Sequence, residues 1–156
     1  MEKTERKSNF VVVCHNIRSA YNIGSIFRTA DGAGARKIYL TGYTPALPHP
    51  GIAKTALGAE KTVSWERFSR LDPLLKKLKK EKYQIVALEQ DKKSIAYDRF
   101  KPGENIAVIL GNEVRGLSPA ALGKCDKIIE IPMRGEKESL NVAVAFGISA
   151  YTIFKV

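Results

Sequence analysis

Five short apolar runs constrain the fold of this chain more than any other feature of its sequence. Most are rich in β-branched residues, and helix-forming or polar segments separate one run from the next. A run that is apolar at consecutive positions indicates a strand buried on both faces, as in a parallel sheet. Strands that alternate with helices predict an α/β domain with a mostly parallel sheet flanked by helices. The predicted strands are 9–15, 37–41, 84–90, 105–111 and 128–131.

Helical signals lie between these strands. Asn22 is placed to cap a helix that Gly32 and Gly34 end. Its apolar face is Ile23, Ile26, Phe27 and Ala30. Residues 71–83 predict a second helix, with leucines on one face and lysines around the other. The remaining predictions are a loop at 42–51, a short helix at 52–59, a brief strand at 63–65 and a short helix that begins at Ser118-Pro119.

The last predicted helix, from Asn141 to about Lys155, is apolar on nearly every side. Ser149, Thr152 and Lys155 form only a narrow polar stripe. Such a helix is buried on more than one side, either in the core or against a second subunit. Asn141 and the nearby Ser139 are natural N-cap residues. A helix start offers free N–H groups and a positive dipole end, which suit a polar or anionic ligand.

The charge of the chain indicates a polyanionic partner. Lys and Arg number 26 against 16 Asp and Glu, which gives a net charge of +10. A domain this basic most often binds nucleic acid, and the alternative is a generic basic surface that keeps the protein soluble. The lysines of 71–83 fit a solvated face better than an RNA platform.

Chain length and cysteine content limit the possible domain organisation and cellular compartment. The 156 residues fit one domain at 9–156 after a mobile polar tail at 1–8. Cys14 and Cys125 lack metal-ligand spacing and are expected to be reduced thiols of a cytoplasmic protein. No apolar run reaches the length of a membrane span, so we expect no membrane partner. Because no metal-ligand spacing occurs, we also expect no metal.

Three polar sets follow predicted strands. They are Asn22 with Arg28, Asn112-Glu113 with Arg115, and Ser139-Leu140-Asn141. Because ligands of open α/β sheets bind at the carboxyl ends of strands, we expect the sets to converge on one pocket. The alternatives are structural: each asparagine or serine could only cap a helix, the arginine could pair with Asp31, and the glutamate could be a surface carboxylate.

Several common ligand motifs are absent from the sequence. No Gly-x-Gly-x-x-Gly loop opens a helix after a strand, and there is no Walker-type phosphate loop. Zinc-ligand spacing and a Gly-x-Ser-x-Gly elbow are also missing.

Three longer motifs occur in order. They are Asn22-x5-Arg28-Thr-Ala, Ile109-Leu-Gly-Asn-Glu113-x-Arg-Gly-Leu-Ser, and Ile131-Pro-Met-x-Gly-x3-Ser139-Leu-Asn-Val-x-Val-Ala. With them the chain resembles the SpoU/TrmH family of the SPOUT methyltransferases, which 2′-O-methylate ribose in tRNA or rRNA. The resemblance runs from about Phe10 to Tyr151, and together the motifs are highly specific.

The resemblance implies an α/β fold with a deep C-terminal trefoil knot, one of the rare exceptions to unknotted connections. It also implies S-adenosylmethionine bound in the knot, and a homodimer with composite active sites. The cofactor contacts carried over by the motifs are Leu88, Glu89, Leu110, Gly111, Ile131, Met133 and Leu140.

By the same resemblance, Arg28 engages the nucleotide phosphate and acts on the 2′-hydroxyl. Because the unperturbed pKa of arginine exceeds about 12, we favour phosphate binding and oxyanion stabilisation over a general base. The implied remaining site residues, which shape the site and orient Arg28 and the ribose, are Asn22, Glu113, Ser139 and Asn141.

The resulting hypothesis is an RNA ribose 2′-O-methyltransferase. The chain shows no N-terminal RNA-binding extension, and this minimal length favours tRNA over rRNA. The alternative is a non-catalytic basic RNA-binding protein on the same fold. In either case RNA affinity should fall steeply with salt, because phosphate contacts release counterions.

Overall fold

A seven-stranded sheet forms the centre of the molecule. The computed structural model describes residues 9–153. The strands are β1 Asn9–His15, β2 Lys37–Thr41, β3 Trp65–Phe68, β4 Gln84–Leu88, β5 Ile95–Ala96, β6 Asn105–Leu110 and β7 Lys127–Glu130. Their order is β3-β2-β1-β6-β4-β7-β5, and neighbouring strands of this sheet run parallel. The predicted α/β class and parallel sheet are confirmed.

The described chain contains five α-helices, of which the first four lie between strands and the last follows β7. They are α1 Ala20–Ala33, α2 Pro50–Ala56, α3 Leu71–Lys80, α4 Pro119–Gly123 and α5 Val142–Ile153. Short 3-10 turns occur at Ala59–Lys61 and Tyr97–Arg99. The polar tail predicted at 1–8, and the predicted end of the last helix beyond residue 153, lie outside the described residues.

Strand β1 shows why its run of apolar residues is continuous. Phe10, Val12 and Cys14 belong to a core layer that includes buried residues of α1, α2 and α5. Val11 and Val13 point to the opposite face and join a second layer with α3 and α4. Because both faces of the strand are covered, neither set of side chains can be polar.

The first helix begins earlier than its sequence pattern predicts. Ser19 is the N-cap, and its side chain accepts a hydrogen bond from the backbone N–H of Asn22. Asn22 therefore does not cap α1, because it already lies inside the first turn. The predicted C-terminal end is confirmed, since Gly34 takes the left-handed conformation (φ 78°) that favours glycine.

Other boundaries differ by a few residues. Helix α2 starts at Pro50, within the predicted loop, because proline is tolerated at the first helical position and His49 caps the helix through Gly51 N–H. Strand β3 lies at 65–68 rather than 63–65. The two-residue strand β5 was not predicted, since so short a strand leaves no pattern in the sequence.

Helix α5 is buried on one side and exposed on another. Phe146, Ala150 and Ile153 are buried in the core layer beside α1. Ser149, predicted as part of a polar surface stripe, is buried instead, and its hydroxyl is satisfied by the carbonyl of Ala145. The exposed side includes the large apolar residues Val144, 51% exposed, and Tyr151, 46% exposed, beside the exposed Thr152. The helix therefore presents apolar surface away from the core.

The cysteines form no disulfide. Cys14 is buried, which raises the pKa of its thiol. Burial first, and then the charge of Asp126, raise the pKa of the half-buried Cys125 to about 11. Both are therefore neutral thiols at neutral pH. No helix within residues 9–153 is long and apolar enough to cross a lipid bilayer.

Candidate active site

A cavity of about 310 Å³ lies at the carboxyl ends of β4, β6 and β7. Its walls come from segments that follow these three strands, at 88–90, 111–116, 130–133 and 138–145. Its volume is at the lower end of the range typical of small-molecule sites. The sheet topology explains the position, because parallel strands deliver their following loops to one edge.

The loop after β6 packs closely against Glu89. The Glu89 carboxylate accepts hydrogen bonds from Gln90 N–H at 3.0 Å and Leu117 N–H at 3.1 Å. A Cβ atom on Gly116, whose φ is +64°, would collide with that carboxylate. A Cβ on Gly111 would lie 2.8 Å from the backbone carbon of Gly116. Glycine is therefore required at both positions for this loop conformation.

Asn112 fixes the other side of the same loop. Its side-chain amide donates to the carbonyl of Asn16 at 3.0 Å and to the Tyr43 hydroxyl at 2.9 Å. Its Oδ1 accepts from the N–H groups of Val114 and Arg115 at 2.9 and 2.8 Å. This buried side chain satisfies all its hydrogen-bonding groups and ties the loop to the segments after β1 and β2.

The Glu113 carboxylate accepts hydrogen bonds at the start of α1. Oε2 accepts from Arg18 N–H and Oε1 from Ser19 N–H, both at 3.1 Å. Partial burial acts to raise the pKa of this carboxyl. The N–H groups of Arg18 and Ser19, with help from its own N–H and from Asn22, outweigh burial, and the pKa is lowered. Glu113 is therefore ionised and links two segments by hydrogen bonds, so it is more than a surface carboxylate.

Two asparagines extend this connection. The Asn22 amide donates to Glu113 Oε1 at 3.4 Å, and Asn22 Oδ1 accepts from the Asn141 amide at 3.0 Å. Asn141 also accepts from the N–H groups of Ala143 and Val144, so it is the N-cap of α5. One hydrogen-bonded chain, Glu113–Asn22–Asn141, thus joins the three motif segments beside the cavity.

The segment before α5 closes the cavity. The Gln90 side chain donates to the carbonyl of Glu138 at 2.6 Å and ties this segment to the end of β4. Ser139 lines the cavity and does not cap the helix. The helix start predicted from Ser139 and Asn141 is confirmed with Asn141 as the cap.

Arg28 does not meet the other predicted site residues within one chain. It is exposed on α1, and its predicted alternative partner Asp31 instead accepts a hydrogen bond from Thr62. No ion pair to Arg28 occurs among residues 9–153. The shallow depression that holds it, between α1, α2 and α5, is lined by Ser25, Arg28, Thr29, Gly32, Lys54, Thr55, Leu57 and Tyr151.

Six of the seven residues that the motif resemblance assigns to the cofactor line the cavity. They are Leu88, Glu89, Gly111, Ile131, Met133 and Leu140. Leu110 does not line it, because its side chain points into the core and is fully buried. It is the last residue of β6, and the chain reaches the cavity only at Gly111.

Asn112 belongs to a polar set that was expected at the pocket, and Gly116 lies in the second motif, so the sequence indicated both of these lining residues. Gln90 also lines the cavity but was not predicted. Gln90 had no comparable signal, since nothing in the sequence indicates its contact with Glu138. Within residues 9–153, no cluster of three or more His, Cys, Asp and Glu side chains could hold a metal ion.

Known proteins share sequence similarity with the segments that line the cavity. The model of the SpoU rRNA Methylase family matches residues 9–151. A protein of Staphylococcus saprophyticus, named as a candidate TrmH family tRNA/rRNA methyltransferase, is 30% identical over 99% of this chain and 61% of its own length. The chain spans about three fifths of the length of the curated relatives that it matches.

Among the solved structures that share the fold are two RNA-modifying enzymes. An AdoMet-bound rRNA methyltransferase from Sinorhizobium meliloti superposes with a TM-score of 0.90 at 25% identity, over 96% of this chain and 57% of that one. The A. aeolicus TrmH/SpoU tRNA modifying enzyme gives a TM-score of 0.86 at 29% identity, over 97% and 76%. Since the family model spans the whole sheet and all three motif segments around the cavity, the chain belongs to the SpoU/TrmH family.

Proposed function

We propose that this protein is an RNA methyltransferase that transfers a methyl group from S-adenosylmethionine to a ribose 2′-hydroxyl. The observation that carries the proposal is the hydrogen-bonded chain Glu113–Asn22–Asn141 beside the cavity. It places one residue of each motif at a single edge of the sheet. Family membership supports methyl transfer to RNA.

The cavity has the chemistry that S-adenosylmethionine requires. Leu88, Ile131, Met133 and Leu140 offer apolar walls to an adenine ring, and Gly111 lets backbone approach a ligand. Four glutamates and one arginine belong to the lining, so it is net negative, which suits a ligand with a sulfonium and an ammonium group. When bound, the cofactor supplies an electrophilic methyl group.

We assign Arg28 to the phosphate of the modified nucleotide and to the charge that develops on the 2′-oxygen. Its guanidinium is exposed and has no carboxylate partner among the described residues. A guanidinium binds phosphate through two parallel hydrogen bonds and remains protonated, so it positions the ribose and stabilises negative charge. The 2′-hydroxyl proton then passes to solvent. Asn22, Glu113, Ser139 and Asn141 shape the ribose site.

A homodimer would bring Arg28 to this cavity. Within one chain, Arg28 lies in a depression that shares no lining residue with the cavity. The depression borders the apolar surface of α5, where Tyr151 is exposed. Pairing two copies through α1 and α5 would cover that surface and complete each cavity with the partner's arginine.

We further propose that the C-terminal segment is knotted. Residues of 131–141 line the same cavity as the loops at 88–90 and 111–116, and the Gln90 side chain donates to the Glu138 carbonyl, so the three segments lie close together. A crystallographic trace of 131–153 tests the threading. An unthreaded trace would contradict it without affecting the assignment of the site.

Methyl transfer from labelled S-adenosylmethionine tests the function. We expect label in RNA, and we expect Arg28→Ala to lower the rate about 100-fold while cofactor affinity by calorimetry stays unchanged. Arg36→Ala is the matched control, because Arg36 is also exposed but precedes β2 at the opposite end of the sheet. No label in either total tRNA or total rRNA would contradict methyl transfer.

The tRNA and rRNA fractions are assayed separately. We favour tRNA, because the tRNA modifying enzyme above shares a higher sequence identity with this chain (29%) than the rRNA methyltransferase does (25%). RNA binding without cofactor binding would instead support a non-catalytic RNA-binding protein.

A further inference from the structure

A second depression adjoins the cavity on its outer side. It has a volume of about 420 Å³ and is lined by Arg18, Tyr43, Asn112, Val114 and Arg115. Asn112, Val114 and Arg115 also line the main cavity, so the two spaces share a wall. The depression is therefore within reach of a nucleotide adjacent to one that reacts at the cavity.

Tyr43 is an exposed aromatic ring held at both ends. Its side chain is 56% exposed, yet its hydroxyl accepts a hydrogen bond from the Asn112 amide at 2.9 Å. Its backbone N–H donates to Asn16 Oδ1 at 3.1 Å. Arg67 donates to the carbonyls of Gly42 and Thr44 on either side, both at 3.2 Å. An exposed ring fixed in this way loses little entropy when a flat group stacks on it.

The two arginines add positive charge without internal compensation. Neither Arg18 nor Arg115 forms an ion pair with any carboxylate in the part of the chain that the structure describes. Val114 is 89% exposed and supplies an apolar contact at the same rim. An aromatic platform flanked by free guanidinium groups is the arrangement that binds unpaired nucleotides, through base stacking and phosphate contacts.

We propose that this depression is a subsite for an unpaired nucleotide that flanks the modified one. Tyr43 stacks on the base, and Arg18 and Arg115 contact the adjacent phosphates. The subsite rests on the proposed RNA substrate, and it restricts that substrate to a single-stranded loop, because a paired base is not free to stack on Tyr43.

The test uses the full-length protein with short single-stranded RNA oligonucleotides that carry 2-aminopurine at each position in turn. Stacking on Tyr43 should quench the fluorescence at one position. Tyr43→Phe should retain the quenching, and Tyr43→Leu should abolish it and weaken affinity about tenfold. Circular dichroism and thermal unfolding show that each variant is folded.

The arginines are tested by salt dependence. Arg18→Gln and Arg115→Gln should each lower the slope of log affinity against log salt by about 0.7, whereas Arg36→Gln should leave it unchanged. Quenching that survives in Tyr43→Leu, no quenching with any oligonucleotide, or equal affinity for duplex RNA would overturn the subsite. Loss of methyl transfer alone, with Tyr43-dependent quenching intact, would instead overturn the proposed reaction and leave the subsite standing.

Discussion

The Glu113 carboxylate bridges two segments that are far apart in the sequence. It accepts backbone N–H groups from Arg18 and Ser19 at the start of α1, while its own loop lines the cavity. Removing its charge should therefore affect both the stability of the fold and the shape of the site. A neutral amide cannot replace it, because one of the two bridged N–H groups would face an NH₂ donor.

We expect Glu113→Gln to lower the free energy of unfolding by about 2 kcal/mol at neutral pH. The folded-state pKa of Glu113 is lowered, so its contribution is present above its unfolded pKa and disappears as the pH falls through the folded value. The difference between variant and wild type should thus vanish at a pH well below about 4. Urea unfolding at several pH values measures it, with the exposed Glu104→Gln as control. A pH-independent difference would contradict the charged bridge.

Gly116 gives a second prediction at the residue scale. Gly116→Ala places a Cβ against the Glu89 carboxylate at a positive φ, so we expect a loss of about 1–2 kcal/mol and weaker S-adenosylmethionine binding. Gly123→Ala is the matched control, because it lies in α4 with no atom near its Cβ and should be neutral or slightly stabilising. Thermal unfolding and calorimetry separate the two effects, and a fully active Gly116→Ala would show that the loop conformation is not required.

At this scale the sequence predicts which residues gather but not how they bind one another. Convergence of Asn22, Glu113 and Asn141 follows from topology, since all three come after parallel strands. The partners of Glu113 depend instead on the angle at which α1 leaves β1. That angle is set by tertiary packing and by Asn16, which takes a left-handed φ of 55°.

One side chain at the start of α5, that of Asn141, both caps the helix and takes part in the site. Asn141 Oδ1 caps the helix, and its amide reaches Asn22. Asn141→Asp keeps the capping oxygen but loses the amide donor, so we expect nearly unchanged stability and methyl transfer lowered about tenfold or more. Asn141→Ala should in addition lose about 1 kcal/mol of stability. Denaturation and methyl-transfer rates test this, and equal activity of Asn141→Asp and wild type would contradict a role of the link.

The elements themselves follow closely from the sequence where burial dictates the pattern. Strands β1 and β2 match their predicted bounds, because their apolar residues lie between two layers. The start of α1 was misplaced, since Ser19 and Asn22 are both good caps and only the fold decides between them. The alternation that marks a half-buried strand is absent from β5, so it left no signal.

At the scale of the whole molecule, Arg28 lies apart from the cavity within one chain. Whether the two meet across a dimer can be tested by mixing two variants. If each site is composite, Arg28→Ala and Asn141→Asp chains are both weakly active alone, yet a mixed dimer contains one site with neither substitution. Co-expression of the two chains should then restore about a quarter of the wild-type rate. Recovery confined to the sum of the two separate activities would show that Arg28 acts within its own chain.

The order of the strands has a consequence for how the protein is made. β1 is synthesised among the first segments, but its neighbour β6 emerges only after more than half of the chain, and no adjacent strands are joined by a hairpin. On the ribosome, β1 can pair with β2 alone, so its far edge stays open through most of translation. The centre of the sheet therefore assembles late, and chaperones that shield apolar strand edges should matter more for this protein than for one of equal length built from consecutive hairpins.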